Sequence, residues 1–221
     1  MADGRFEGFI WYSTYPSARN AERLKRCTAP IVLIHSTAAT FDNRFPTVIC
    51  DNDQGIRLAL EHLASLGHRR IVFMYDGAVS FLESLMRRDA FLKHGAAMGL
   101  EVSLLDMQPS RQKNLEAYFE GRPRETALIA HGEEYAIEAM KVAIAHGIRV
   151  PEEFSFVGFD STAYCEYCRP HLTSISQPLV QIGELAVDLL VQFIDGRKPD
   201  PPEHVLPCGF DVRGSTGPAP R

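Results

Sequence analysis

The residues best placed to do chemistry crowd into one stretch, "FVGFDSTAYCEYCRPHLTSISQP", residues 156–178. An apolar run reaches Asp160 and stops there. A carboxylate at the end of a buried strand can act as a base, bind a metal ion, or accept hydrogen bonds from vicinal hydroxyls. It can equally cap a short helix over Ser161–Tyr167, because aspartate is a favoured N-cap. Cys165 and Cys168 carry half the ligand set of a structural zinc site, with His171 as a third donor, but no second CxxC exists and Cys208 stands alone. A redox pair wants a helix N-terminus free of carboxylates, whereas Asp160 and Glu166 are close by. Incidental spacing is the favoured reading of the two cysteines.

Three further groups follow strand-like runs. Arg87 and Arg88 in "SLMRRDAF" sit near the start of a helix, where a guanidinium can fork onto hydroxyls or a carboxylate, or simply face solvent. Asp51, Asn52 and Asp53 open another helix, and capping is sufficient to explain them. "HGEE" at His131–Glu134 has the same relation to the run before it, and a lone histidine there reads more readily as structural than catalytic. No GxSxG, GxGxxG or GxxxxGK[ST] sequence is present, so nucleophilic and phosphate-cradling chemistry have little support. The chain is read as a non-enzyme without a cofactor or metal.

The elements that must hold these groups alternate. Near-continuous apolar runs at Gly8–Tyr12, Ile31–His35, Thr47–Cys50, Ile71–Tyr75, Ala127–Ala130 and Phe154–Phe159 predict parallel strands covered on both faces. Striped segments predict helices over 52–66, 81–98, 111–119, 133–146 and 178–195, several closed by glycine. This order implies an α/β fold with right-handed crossovers, whose ligands gather at the carboxyl ends of the strands. Asp160 stands at such an end.

A net charge of −5 argues against nucleic-acid binding by this chain itself, and no apolar run is long enough to span a membrane. Five scattered cysteines suggest a reducing compartment rather than a disulfide framework, and a cytoplasmic location is expected.

Taken together, several stretches resemble the effector-binding core of the lactose-repressor-like (LacI/GalR-type) bacterial transcription regulators. They are "DNDQGIRLALEHLASLGHRRIVFM" (51–74), "RRDAF" (87–91), "VPEEFSFVGFDSTAY" (150–164), "RPHLTSISQP" (169–178) and "LPCGFDVRGST" (206–216). The resemblance runs in order from about residue 8 to 216. It implies two parallel-sheet, Rossmann-like subdomains of the periplasmic binding protein-like type, with a small-molecule effector, carbohydrate or purine-like, in a cleft between them. The implied boundaries are 1–66 with 178–206 for the first subdomain and 67–177 with 207–221 for the second.

By the same resemblance Asp160 contacts the effector, Arg87 is its forked cationic partner, and Gln177 is a further cleft residue. Glu133 and Gly132 stand where the family has aspartate and asparagine; Asp51 completes the expected ligand-binding set. The resemblance also implies a homodimer that meets operator DNA only through an N-terminal helix-turn-helix, which is not in this chain. The opening strand–helix–strand–helix unit of the first subdomain is likewise expected to be missing. Residues 8–12 would then form a raw sheet edge, and the chain is expected to be poorly soluble or oligomeric by itself. A periplasmic-type solute-binding protein and a CxxC-dependent zinc or redox protein are the alternatives.

Overall fold

The computed structural model describes residues 6–12, 22–24, 26–77, 82–197 and 199–220. Phe81, the first residue of the helix expected over 81–98, lies outside them. Two compact units emerge: Met1–Asp51 with Ser80–Glu83 and Pro178–Pro207, and Asn52–Val79 with Ser84–Gln177 and Cys208–Arg221.

The first unit carries a parallel sheet of β1 (Phe9–Tyr12), β2 (Ile31–Ile34), β3 (Thr47–Cys50) and β9 (Glu203–Leu206), in the order β1-β2-β3-β9. β2 and β3 are buried along nearly their whole length, which is why they read as unbroken apolar runs. A helix at Leu179–Ile194 buries Ile182, Ala186 and Leu189. Its partner face is close-packed: a Cβ on Gly8 would come within 2.8 Å of Leu190. Leu24, Ile31, Leu33, Phe41 and Phe45 form the core. Among the described residues β1 is the outer strand, with Ile10 and Tyr12 exposed.

The second unit is built on six strands: β4 (Arg70–Tyr75), β5 (Glu101–Asp106), β6 (Ala127–Ala130), β7 (Ser155–Asp160), β8 (Thr173–Ser176) and β10 (Gly209–Asp211). The order is β10-β8-β7-β6-β4-β5, all parallel except β10, which runs antiparallel to β8. The helices are α1 (Asn52–Ser65), α2 (Leu82–Ala97), α3 (Arg111–Glu120), α4 (Glu133–Ala145) and the short α5 (Tyr164–Tyr167), with the Leu179–Ile194 helix as α6. Phe119, Phe154 and Phe156 pack ring against ring within the core of this sheet.

One boundary differs from the expectation. α1, assigned from sequence to the first subdomain, belongs to the second unit. Its Gly55 lies so close to the second sheet that a Cβ would meet Ile175 Cγ2 at 2.9 Å and Phe159 Cε2 at 3.3 Å. A glycine at the contact lets the helix backbone approach a packed sheet.

The strand β5 escaped the sequence reading because it is an edge strand: "EVSLLD" alternates half-buried and exposed positions instead of forming an apolar run. β9 and β10 were missed because they are short and mostly half-exposed.

The closing "RGST" is a clasp. Ser215 is fully buried, donates to Phe156 O at 2.6 Å and accepts from Thr173 N at 2.9 Å. His68 completes the fastening. Its Nε2 reaches Gly217 O and Ser155 Oγ at 3.1 Å each, and its Nδ1 reaches Thr126 Oγ1 at 2.8 Å. A carbonyl can only accept, so Nε2 carries the proton and Nδ1 accepts from the threonine hydroxyl.

Candidate functional site

All strands of the second sheet except β10 point the same way, so their carboxyl ends share one edge. The chain sets polar groups along it: Asp76 after β4, His131 after β6, Asp160 at the end of β7 and Gln177 just past β8. This is the edge where the sequence reading placed Asp160.

Arg87 is the structural centre of the row. It projects from α2 and is only 5% exposed. Its Nε donates to Asn52 Oδ1 at 2.7 Å and its Nη1 to His131 O at 2.5 Å. The guanidinium carbon lies 3.5 Å from the centroid of the Phe159 ring, and Nη1 is 3.8 Å from Asp160 Oδ1. A planar cation stacked on a ring and held by neutral acceptors on two sides is fixed in orientation. That approach to Asp160 is loose, whereas Nε and Nη1 each donate to a close protein acceptor.

Asp160 has φ of 103° and the following Ser161 has φ of 55°. Non-glycine residues at positive φ are uncommon, and such backbone costs about 1–3 kcal/mol. Gln177 Nε2 donates to Asp160 Oδ1 at 2.6 Å and so helps fix the carboxylate. The helix-capping reading of Asp160 does not hold: α5 starts at Tyr164 and the residue in its N-cap position is Ala163.

The other expected residues divide. Gly132 occupies the N-cap position of α4, beside Asp160: a Cβ there would lie 3.9 Å from Asp160 Oδ2 and 3.4 Å from Tyr135 Cδ2. Glu133 is buried and turned inward, accepting from Thr162 N at 2.7 Å, from the Thr162 hydroxyl, and from Cys165 Sγ at 3.1 Å. Those partners make it a brace for the Asp160–Thr162 turn. Asp51 ends up in the first unit, its N–H bonded to Leu206 O at 2.7 Å.

The cysteines are free thiols. Burial, then the Glu133 carboxylate, push Cys165 up to about 12, the wrong direction for a redox thiolate or a metal ligand. Cys168 Sγ points to the carbonyls of Cys165 and Pro170, at 3.3 Å each.

Sequence reasoning took His131 as a structural histidine. It is 6% exposed, packs against Tyr135 with the rings tilted and their centroids 4.0 Å apart, and its Nε2 has no hydrogen-bond partner among the described residues. Burial, with help from the Arg87 and Arg111 guanidinium charges and against the pull of Asp76, lowers its pKa to about 4. It is a neutral imidazole at any ordinary pH. Arg111 lies over the ring of Tyr135, 4.4 Å from its centroid, and pairs with Glu138 at 2.7 Å. Ser84 Oγ, one turn before Arg87, and Gln177 Oε1 also lack partners among the described residues. A buried polar atom without a partner costs about 1–3 kcal/mol, so several on one unit call for an explanation.

The opposite edge of the same sheet is different. A shallow cavity of about 190 Å³ there is lined by Arg70, Glu101, Val102, Ser103, Arg124 and Glu125. Two of its polar side chains are paired within the cavity: Ser103 Oγ donates to Glu125 and Arg70 Nε to Arg124 O, both at 2.6 Å.

The periplasmic binding protein-like domain family matches residues 60–216, most of the chain. Catabolite control protein A of Priestia megaterium is 27% identical over 98% of this chain, which spans 66% of that protein. Among solved structures, a LacI family regulator of Enterococcus faecium with bound ribose superposes with a TM-score of 0.78 at 26% identity, covering 96% of this chain and 80% of that one. The transcriptional regulator CelR in complex with cellobiose gives a TM-score of 0.83 at 26% identity, covering 96% of this chain and 66% of that one. The chain belongs to the periplasmic binding protein-like domain family, and within it is an effector-binding core of the LacI type.

Proposed function

We propose that this chain is the sensing part of a DNA-binding transcription regulator, and that its effector is an uncharged carbohydrate. The observation that carries the reading is the Arg87–Asp160–Gln177 constellation at the carboxyl edge of the second sheet. A carboxylate and a carboxamide side by side offer acceptors and donors to neighbouring hydroxyls, while Arg87 is held by protein groups and positions the site. Charge-assisted hydrogen bonds of this kind select among polyols by geometry. The relatives with bound ribose and cellobiose are consistent with that ligand class. A purine-like effector is the runner-up, and no specific contact in the site favours it.

Regulation then follows from linkage: an effector that binds one conformation of the protein better shifts the population toward it. Operator DNA would be read by a separate segment of a cytoplasmic homodimer. The chain spans 66% of one curated relative and 49% of another, and the reading of the whole protein's activity rests on that partial overlap.

The test is thermal denaturation and calorimetric titration against neutral sugars, D-ribose and cellobiose included, beside purine bases and nucleosides. Asp160→Ala is expected to keep its fold and lose binding by about a hundredfold, the size expected for removing a charged hydrogen-bonding partner. Unchanged affinity in that variant would mean the site has been placed wrongly.

A further inference from the structure

The amino edge of the second sheet gathers charges that the fold brings together and does not pair. Arg70, at the start of β4, and Glu101, at the start of β5, are register partners on neighbouring parallel strands, so their side chains leave the same face of the sheet. Opposite charges so placed, on backbones about 4.8 Å apart, are well set to form a cross-strand ion pair. Here they do not. Arg70 Nε donates to Arg124 O at 2.6 Å, and the terminal nitrogens of its guanidinium have no partner among the described residues. The side chains of Arg124 and Glu101 have none either. Glu125 is held only by neutral donors, the Ser103 hydroxyl at 2.6 Å and the Tyr118 hydroxyl at 3.2 Å. Arg69 is engaged elsewhere, by the carbonyls of Ala64 and His68 at 3.1 and 3.0 Å. Two cations and two carboxylates thus line a cavity of about 190 Å³ with no ion pair between them.

We propose that this cavity binds a small zwitterion of the α-amino acid class, its carboxylate on Arg70 and Arg124 and its ammonium on Glu101. A simple anion would be attracted by the two guanidinium groups and repelled by Glu101 and Glu125. A simple cation would meet the reverse. An α-amino acid carries both charges on one carbon, which matches the neighbouring strand positions of Arg70 and Glu101. Arg70 is anchored through Nε, so its terminal N–H groups are oriented before a carboxylate arrives, and a planar guanidinium suits that guest better than an ammonium would. The volume is below the about 300–1,000 Å³ of pockets for drug-sized ligands, which limits the guest to a few heavy atoms. Val102 adds an apolar wall for a short aliphatic side chain. The site is independent of the carbohydrate reading, because it lies at the other edge of the sheet and uses none of the same residues.

The experiment is an NMR titration of the whole chain with L-alanine, beside propionate, which lacks the ammonium, ethylamine, which lacks the carboxylate, and inorganic phosphate. It is repeated with Arg124→Gln, Glu101→Gln and Asp160→Ala. L-Alanine is expected to bind wild type with a Kd of about 1 mM, and each of the other probes at least about tenfold more weakly. Arg124→Gln is expected to weaken L-alanine about tenfold. Glu101→Gln is expected to erase the preference for L-alanine over propionate, a change of selectivity that a merely structural role would not produce. Both side chains are exposed, so melting temperatures should stay within a few degrees of wild type. Asp160→Ala, at the other edge, should bind L-alanine as wild type does. The proposal is overturned if L-alanine does not bind, or if propionate or phosphate binds wild type as tightly, which would make the cavity a plain anion site. It is equally overturned if the Arg124 and Glu101 variants leave L-alanine binding unchanged, or if Asp160→Ala abolishes it. None of these results bears on sugar binding at the carboxyl edge.

Discussion

His68 and His131 are both buried imidazoles beside strands of the second sheet, one ahead of β4 and one just past β6. His68 has protein partners on both nitrogens: Thr126, Ser155 and the carbonyl of Gly217. His131 has a ring packed at a tilt against Tyr135 and an Nε2 with no partner among the described residues. Burial lowers the pKa of both, so charge does not separate them. Hydrogen-bond satisfaction does. The first is a fastener that the fold completes from within, and the second is a group that the fold leaves for something else. The two edges of the sheet differ in the same sense: Ser103 and Arg70 at one are paired within the unit, while His131 Nε2 and Gln177 Oε1 at the other have no partner among the described residues.

The largest expected effect falls on the fastener. His68→Ala should destabilise the chain by about 3 kcal/mol in urea denaturation, because it opens a cavity and strips partners from Ser155 and Thr126. A loss under about 1 kcal/mol would break the comparison, since His68 would then be no more structural than His131.

Next in size is the response to acid. Burial disfavours the charged form of both histidines in the folded chain, whereas in the unfolded chain they take up protons near pH 6.5. The unfolded state therefore binds more protons below that pH. Stability is full above about pH 6.5 and declines as pH falls toward about 4, where His131 protonates in the fold as well. The charged groups that act on His131 are Arg87, Arg111 and Asp76. His131 alone should account for about 2 kcal/mol between pH 7 and pH 5, and His131→Gln should remove that part of the slope. Equal slopes in wild type and variant would show that the imidazole is not held neutral.

Two glycines sharpen the contrast at smaller scale. Gly55→Ala should cost about 1.5 kcal/mol, because the new methyl must push α1 away from Ile175 and Phe159. Gly132→Ala should change stability by less than about 0.5 kcal/mol, since nothing crowds it. Chemical denaturation of the pair checks both. The reverse order would show that packing requires Gly132 rather than Gly55.

Much of the fold was legible because parallel strands covered on both faces leave continuous apolar runs. Thr47–Cys50 and Ala127–Ala130 were read to the residue for that reason. β5 hid behind its edge-strand alternation. α1 was put in the wrong unit because an amphipathic stripe says that a helix is covered, not by which sheet; Gly55 held the answer, but its crowding is a property of three dimensions. In the site, Asp160 was visible as a carboxylate ending a strand, and Arg87 and Gln177 came with the family resemblance. Glu133 looked like a ligand group because its position in "HGEE" is right, yet its side chain turns toward Thr162 and Cys165. His131 was read as structural, since a missing hydrogen-bond partner cannot be seen in residue order.

The most direct test of the account is amide hydrogen exchange on the whole chain, with and without the sugar that binds it best. Added protection concentrated at residues 131–135, 159–162 and 176–177, the carboxyl edge of the second sheet, is the expected result. Protection confined to the amino edge, around Arg70, Ser103 and Glu125, would contradict it and move the site to the cavity there.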